Sequence, residues 1–239
     1  MLESLDLEKV LFLDIETVSA RPTFDALNDD ERHFWELKAA PMSEREGRTV
    51  AEIYDKAAIF AEFGKVVCIS CGIFSQKNGE PVLNIKSYYD HTEKVLLQEF
   101  ANMCDTFFRG PDYRLCAHNG KEFDFPYLCR RMMINGVKLP GALDIQGKKP
   151  WEIGHLDTME LWKFGDYKSF TSLNLLTFLF DIPTPKDDIS GADVSRVYWQ
   201  DGDLDRIVTY CQKDVVAMAQ LIQRFRREPI IVPEQVIYK

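Results

Sequence analysis

The sequence predicts a mixed α/β fold: a five-stranded sheet, an antiparallel meander followed by parallel strands, flanked by helices. Two observations carry this. Three apolar segments, Val10–Thr17, Lys65–Phe74 and Val82–Tyr89, follow one another without an intervening strong helix pattern except in a polar stretch at 21–62. After residue 90, short apolar strands alternate with segments of helical period, the pattern of a sheet covered by helices.

The first strand, Val10-Leu11-Phe12-Leu13-Asp14-Ile15-Glu16-Thr17, is apolar until two acids appear at its end. Residues 21–62 are polar and charged, with helical pieces near 29–39 and 49–62, and read as an insertion on the domain edge. Gln76-Lys77-Asn78-Gly79-Glu80 has hairpin-turn chemistry between the second and third strands. Asp90-His91-Thr92-Glu93 resembles a capping box, and Leu96, Phe100, Met103 and Phe107 follow at helical spacing. Tyr113–His118 is a fourth strand. A helix from about Pro126 to Asn135 follows, with proline in its first turn and Gly136 just past its end. A Gly-, Pro- and Lys-containing loop at 137–150 leads to a fifth strand, His155–Thr158. Helices are expected at about 171–181, with Thr171 or Ser172 as N-cap, then at 191–199 and 203–227. Pro183-Thr184-Pro185 breaks the chain between the first two. No repeat is present, and the expectation is one domain, 1–239, with the insertion at about 21–62.

Of 239 residues, 46% are hydrophobic and 28% charged, a globular balance that excludes a disordered or fibrous chain. No apolar run approaches the roughly 20 residues that span a bilayer. The N-terminus, Met1-Leu2-Glu3-Ser4-Leu5-Asp6, is acidic where a signal peptide is basic. Six scattered cysteines include one close pair, Cys68 and Cys71, whose odd separation on a strand points them to opposite faces. Reduced thiols in a cytoplasmic protein are expected, with no zinc finger and no disulfide. The net charge of −9 argues against a protein that grips duplexes by phosphate neutralisation. Carboxylates that hold cations also count as negative, however, and a protein that grips only a strand end needs few phosphate contacts.

Asp14 and Glu16, two apart on a strand, point to one face, where a divalent cation relieves their repulsion. Alone they also fit a pair of exposed strand-end acids. Asp124 lies between a strand end and a helix start, where an ordinary N-cap acid fits equally. Tyr210 and Asp214 stack four apart on the last helix, beside the buried stripe Leu204, Ile207, Val208, Cys211, Val215, Met218 and Ile222. A half-buried tyrosine and a solvated aspartate fit them as well.

The three segments in order, Asp-Ile-Glu-Thr, Asn-x-x-x-Phe-Asp and Tyr-x-x-x-Asp, resemble the three exonuclease motifs of the DEDD superfamily in its tyrosine branch. The closest resemblance is to the proofreading exonuclease domain of family-B DNA polymerases and to stand-alone bacterial polymerase-B-like predicted exonucleases. Phe125-Pro126-Tyr127-Leu128, His155-Leu156-Asp157-Thr158-Met159-Glu160-Leu161 and Ser172-Leu173 extend it, over roughly 8–20 and 63–227. The histidine branch places His five residues before the last Asp; here that position is Thr209.

The resemblance implies a ribonuclease H-like fold and divalent-metal-dependent 3′-5′ exonuclease activity with two Mg2+ or Mn2+ ions. The products would be nucleoside 5′-monophosphates released from 3′ ends, chiefly of single-stranded DNA. Asp14 would bridge the ions, Glu16 and Asp214 would complete the site of the attacking water, and Asp124 would act on the second ion. Tyr210 would orient the water rather than serve as base, since an ordinary phenol has a pKa near 10. Asn119, and Thr17 and Val18 through backbone groups, would meet the terminal nucleotide. Phe123 is a substrate candidate too, although its position suits the core better. Asp157 suits a strand-end cap. Lys121, Arg130 and Arg131 are possible phosphate contacts. RNA 3′-end trimming, internal cleavage and a non-catalytic nucleic-acid-binding or assembly module are the competing readings, and no membrane partner is expected. With Lys239 soon after the third motif, the expectation is an exonuclease unit without a polymerase, free-standing or joined to partners.

Overall fold

The first strand sits at the middle of the sheet because its apolar run, Val10 to Leu13, is fully buried. In the computed structural model, which describes residues 2–166, 168, 170–183 and 189–239, the strands are β1 (Val10–Ser19), β2 (Gly64–Lys77), β3 (Glu80–Tyr89), β4 (Arg114–Ala117), β5 (Leu156–Asp157) and β6 (Val236–Tyr238). The order across the sheet is β5-β4-β1-β2-β3-β6. β1, β2 and β3 form the antiparallel meander, β4 and β5 run parallel to β1, and β6 adds parallel to β3. The expected mixed sheet, an antiparallel meander joined to parallel strands, is thus present with six strands rather than five. The extra strand is three residues long, too short for an alternation to show. The hairpin turn is as expected: Lys77 pairs with Glu80, and Asn78 and Gly79 take φ of 55° and 85°.

The helices are α1 (Asp29–Glu46), α2 (Glu93–Phe107), α3 (Asp124–Ile134), α4 (Thr158–Lys163), α5 (Leu173–Leu179), α6 (Val194–Arg196) and α7 (Leu204–Phe225). α7 lies on β1, β2 and β3 through the stripe Ile207, Cys211, Val215, Met218 and Ile222. α2 and α3 contribute Leu96, Phe100, Phe125, Leu128 and Met132 to the main core. None of the helices among the described residues is long and apolar enough to cross a membrane.

Several expectations are corrected. The capping box at 90–93 does not form: α2 starts at Glu93 with Thr92 as N-cap, and Asp90 accepts instead from the Thr92 N–H at 2.6 Å. Glu93 is drawn inward to Arg131 (2.5 Å), the Val66 N–H (2.7 Å) and Asn135 (2.8 Å). A buried guanidinium and two further donors outweigh one helix-end amide. β5 is shorter than 155–158, because Asp157 caps the unanticipated α4, accepting from Met159 and Glu160. The helix expected at 191–199 is α6 followed by a widened π turn, Val197–Asp201, from which Trp199 Nε1 donates to Ser19 O at 3.1 Å. Of the break at Pro183-Thr184-Pro185, Thr184 and Pro185 lie outside the described residues.

The insertion builds its own apolar cluster from Leu27, Trp35, Ala39, Ile53, Tyr54 and Ala57. Its first helix runs past the expected end at 39, through Pro41, to Gly47 at φ 63°. A 3-10 helix, Tyr54–Ile59, then leans on the end of β1; Tyr127 from α3 donates to Ala58 O at 2.8 Å and clamps it there.

Candidate active site

Asp14 and Glu16 face the same side of β1, as their spacing requires, opposite Ser70 and Cys68 on β2. The pairing of β1 with β2 shifts between Glu16 and Thr17, so the acids sit just before a bulge. α7 covers this face. It places Cys211 against the pair: the Cys211 thiol donates to Asp14 O at 3.4 Å, and one ligand atom each from Asp14, Glu16 and Cys211 lie within 4.8 Å of one another.

Tyr210 and Asp214 come from the same helix, one turn apart, and Asp124 from the first turn of α3. Both aspartates act on the pair. Burial raises the Asp14 carboxyl well above its usual range, and the charges of Asp214 and Asp124 raise it further. Burial does the same to Glu16, followed by the charges of Asp14 and Asp214. Asp124, 4% exposed, is pushed up to about 7, chiefly by burial, although backbone donors including the Ile15 N–H pull the other way. Tyr210 is raised by burial and then by Asp214, Glu16 and Asp14, with a hydrogen bond to Asp214 that also holds its proton.

Asp14, Glu16 and Asp124 resist ionisation, and Asp214 adds its charge to Asp14 and Glu16. The chemistry of this donor set suits divalent cations, although only Asp14 and Glu16 of the four offer ligand atoms in the tight group with Cys211 among the described residues. Glu16 shows the fit most directly. It is 7% exposed and accepts no hydrogen bond among the described residues, so its oxygens are available as ligands.

The other candidates divide. Asn119 sits at φ 60° at the end of β4, its N–H bound to Asp157 at 3.0 Å and its amide oxygen buried without a partner. Gly120 beside it is required, since a Cβ there would lie 2.3 Å from that of Ala117. Thr17 hydrogen-bonds Tyr127, and Val18 is fully buried, which leaves its backbone alone for any ligand. Phe123 leans on Tyr127 with ring centres 5.3 Å apart and packs on the core. Asp157 is a cap, accepting from the N–H groups of Asn119, Lys121, Met159 and Glu160. Lys121 pairs with Glu160 at 2.6 Å and Arg131 with Glu93, so neither is free to meet phosphate; Arg130 is exposed. Thr209 bonds its own helix at Asp205 O. The participant not foreseen is Cys211, which the core stripe of α7 conceals. Its position three residues before Asp214 was the available signal.

The model of a family described as predicted 3′-5′ exonucleases related to the exonuclease domain of PolB matches residues 59–227. A DNA polymerase of Desulfurococcus sp. (strain Tok) is 25% identical over 193 residues, covering 74% of this chain and 24% of that protein. A DNA polymerase of Pyrococcus glycovorans is 22% identical over 192 residues, with the same coverage. Among solved structures, the family B DNA polymerase from the archaeon Pyrobaculum calidifontis matches 90% of this chain and 24% of its own, at 16% identity and a TM-score of 0.49. The chain therefore spans about a quarter of the length of the polymerases it matches.

Proposed function

The chain belongs to the family of predicted 3′-5′ exonucleases related to the exonuclease domain of PolB, and from that premise we propose that it is a DEDDy-type hydrolase releasing nucleoside 5′-monophosphates from 3′ ends, single-stranded DNA before RNA. The observation that supports this is that the charges of Asp214 on α7 and Asp124 on α3 both bear on Asp14 of β1.

Two Mg2+ or Mn2+ ions held by Asp14, Glu16, Asp124 and Asp214 would supply charge neutralisation for the scissile phosphate and a hydroxide-like nucleophile at neutral pH. The chain's own residues do the rest. Asp14 and Glu16 are fixed by the central strand, so cations that they hold would be positioned by the sheet rather than by a loop. Tyr210 keeps its proton, which it donates to Asp214, so its phenol oxygen is left to accept from a water and orient it without acting as a base. The free amide oxygen of Asn119 and the backbone of Thr17 and Val18 are the groups we assign to the terminal nucleotide.

In this reading residues 1–239 form one exonuclease domain, and the insertion closes the end of β1. Six free cysteines, five of them buried, suit a reducing cytoplasm.

The test is release of mononucleotides from matched 3′-labelled DNA and RNA strands with Mg2+, with Mn2+ and with chelator. The expected result is metal-dependent release from the 3′ end, faster on DNA, and abolished by Asp14→Asn. Release in chelator, or only from 5′ ends, overturns the proposal.

A further inference from the structure

The acids of the central strand meet a sulfur, and sulfur is not a ligand that hard cations choose. Magnesium takes oxygens in octahedral geometry. Zinc and cadmium prefer thiolate, and a zinc ion bound tetrahedrally by sulfur at about 2.3 Å and carboxylate oxygens at about 2.0–2.2 Å holds its ligand atoms about 3.5 Å apart. The Cys211 Sγ and one oxygen each of Asp14 and Glu16 lie within 4.8 Å, so side-chain adjustment alone closes them on one ion.

We propose that Asp14, Glu16 and Cys211 form a site for one thiophilic divalent cation, zinc or cadmium, whose binding holds the protein inactive. The inference rests on the exonuclease reading only for its second half, the inactivity.

Three features support it. Glu16 is more than nine-tenths buried, has no hydrogen-bond partner among the described residues, and points into the cluster. Cys211 is anchored on a long helix and already tied to β1 through Asp14 O, so the sulfur is preplaced. No oxidant is needed: the thiol proton leaves to solvent and the sulfur lone pair bonds the cation. An ion drawn to the sulfur side then occupies the two carboxylates on which hydrolysis depends.

The full chain, stripped with chelator, is titrated with cadmium while the ultraviolet sulfur-to-cadmium charge-transfer band is followed. One equivalent should raise the band. Cys211→Ser should abolish it and weaken cadmium binding by at least about tenfold, since even outer-shell changes cost about 10–100-fold. Manganese affinity in that variant, read by electron paramagnetic resonance, should be unchanged.

Absence of the band in the parent chain, or its persistence in Cys211→Ser, overturns the proposal. Should that variant fail to fold, X-ray absorption of the zinc-loaded parent chain decides. One sulfur at about 2.3 Å among light atoms supports the site, whereas an all-oxygen shell or two or more sulfurs overturns it. Manganese-dependent nucleotide release, measured on the same preparation before any cadmium is added, separates the two readings. One equivalent of cadmium should then suppress it; release undiminished by cadmium overturns the inactivity. Release without the band defeats this inference alone, and the band without release defeats the exonuclease reading alone.

Discussion

The carboxylate of Asp124, in the first turn of α3, accepts a hydrogen bond from the backbone N–H of Ile15, the residue between Asp14 and Glu16. The parallel pairing of β4 with β1 stops at Phe12 and Cys116, so this edge of β1 lies open to a side chain. One acid thus completes the ladder and faces the other two. Asp124→Asn keeps an acceptor for Ile15 but removes a buried charge. Nucleotide release should fall by two or more orders of magnitude, the scale of losing one electrostatic contact. The metal-free variant should melt higher at neutral pH, by about 2–4 °C for each kcal/mol gained. Calorimetry in chelator beside an activity assay reads both; a lower melting temperature would show that the charge is stabilising.

Acidity gives the second prediction. Ordinary carboxylates titrate near 4 in an unfolded chain, whereas Asp14 and Glu16 are held well above that and Asp124 near 7. Between these values the folded chain binds more protons than the unfolded one, so stability falls as pH rises. The contribution is complete below about pH 4 and, for Asp124, is lost by the time pH passes about 7. Manganese replaces the missing protons. The rise in melting temperature on adding manganese should therefore grow from about pH 5 to about pH 8. An increment independent of pH would mean that these acids ionise without cost.

Tyr210 supplies the third. Burial and three acidic neighbours raise its phenol above the ordinary value, so it acts as a neutral hydrogen-bonding group. Tyr210→Phe should slow release by about 10²-fold, the scale of one lost catalytic hydrogen bond, and leave manganese affinity intact. The rate profile of the parent chain should show no limb from tyrosine ionisation below about pH 10. A limb that vanishes in the Phe variant would restore the base role.

The Glu93–Arg131 pair gives a prediction of stability. Glu93 is buried and Arg131 largely so, and the carboxylate also serves Val66 and Asn135. Arg131→Met leaves an uncompensated charge and should cost about 3–5 kcal/mol, measurable by denaturant unfolding. Activity per folded molecule should not change. A selective loss of activity would return Arg131 to the substrate.

These cases show what local pattern encodes. The run from Val10 to Glu16 announces a buried strand with acids at its end, and Tyr210 with Asp214 announces one helix face, because both are periodicities within a few residues. Glu93 defeats that reasoning, since its partner Arg131 lies 38 residues away and tertiary pairing overrides the local cap. Cys211 has the period of the core, and nothing in that period tells a sulfur beside two carboxylates from one beside valine. α4 is hidden for a related reason: Asp157 looks like the end of a strand and is also the start of a helix.

Asn119 is the remaining case, and its backbone decides how to test it. At φ 60° it occupies the left-handed region, which Asn and Gly tolerate and Ala does not. Asn119→Ala would therefore mix strain with the loss of the amide. Asn119→Gly keeps the turn and the N–H bond to Asp157, and removes only the side chain whose oxygen is buried without a partner. A buried acceptor in that state calls for a partner, and the terminal nucleotide is the one we assign to it. The glycine variant should unfold at nearly the parent denaturant concentration while KM for a single-stranded substrate rises about threefold to tenfold, the worth of one neutral hydrogen bond, with kcat little changed. An unaltered KM would remove Asn119 from the substrate and leave it as a turn residue.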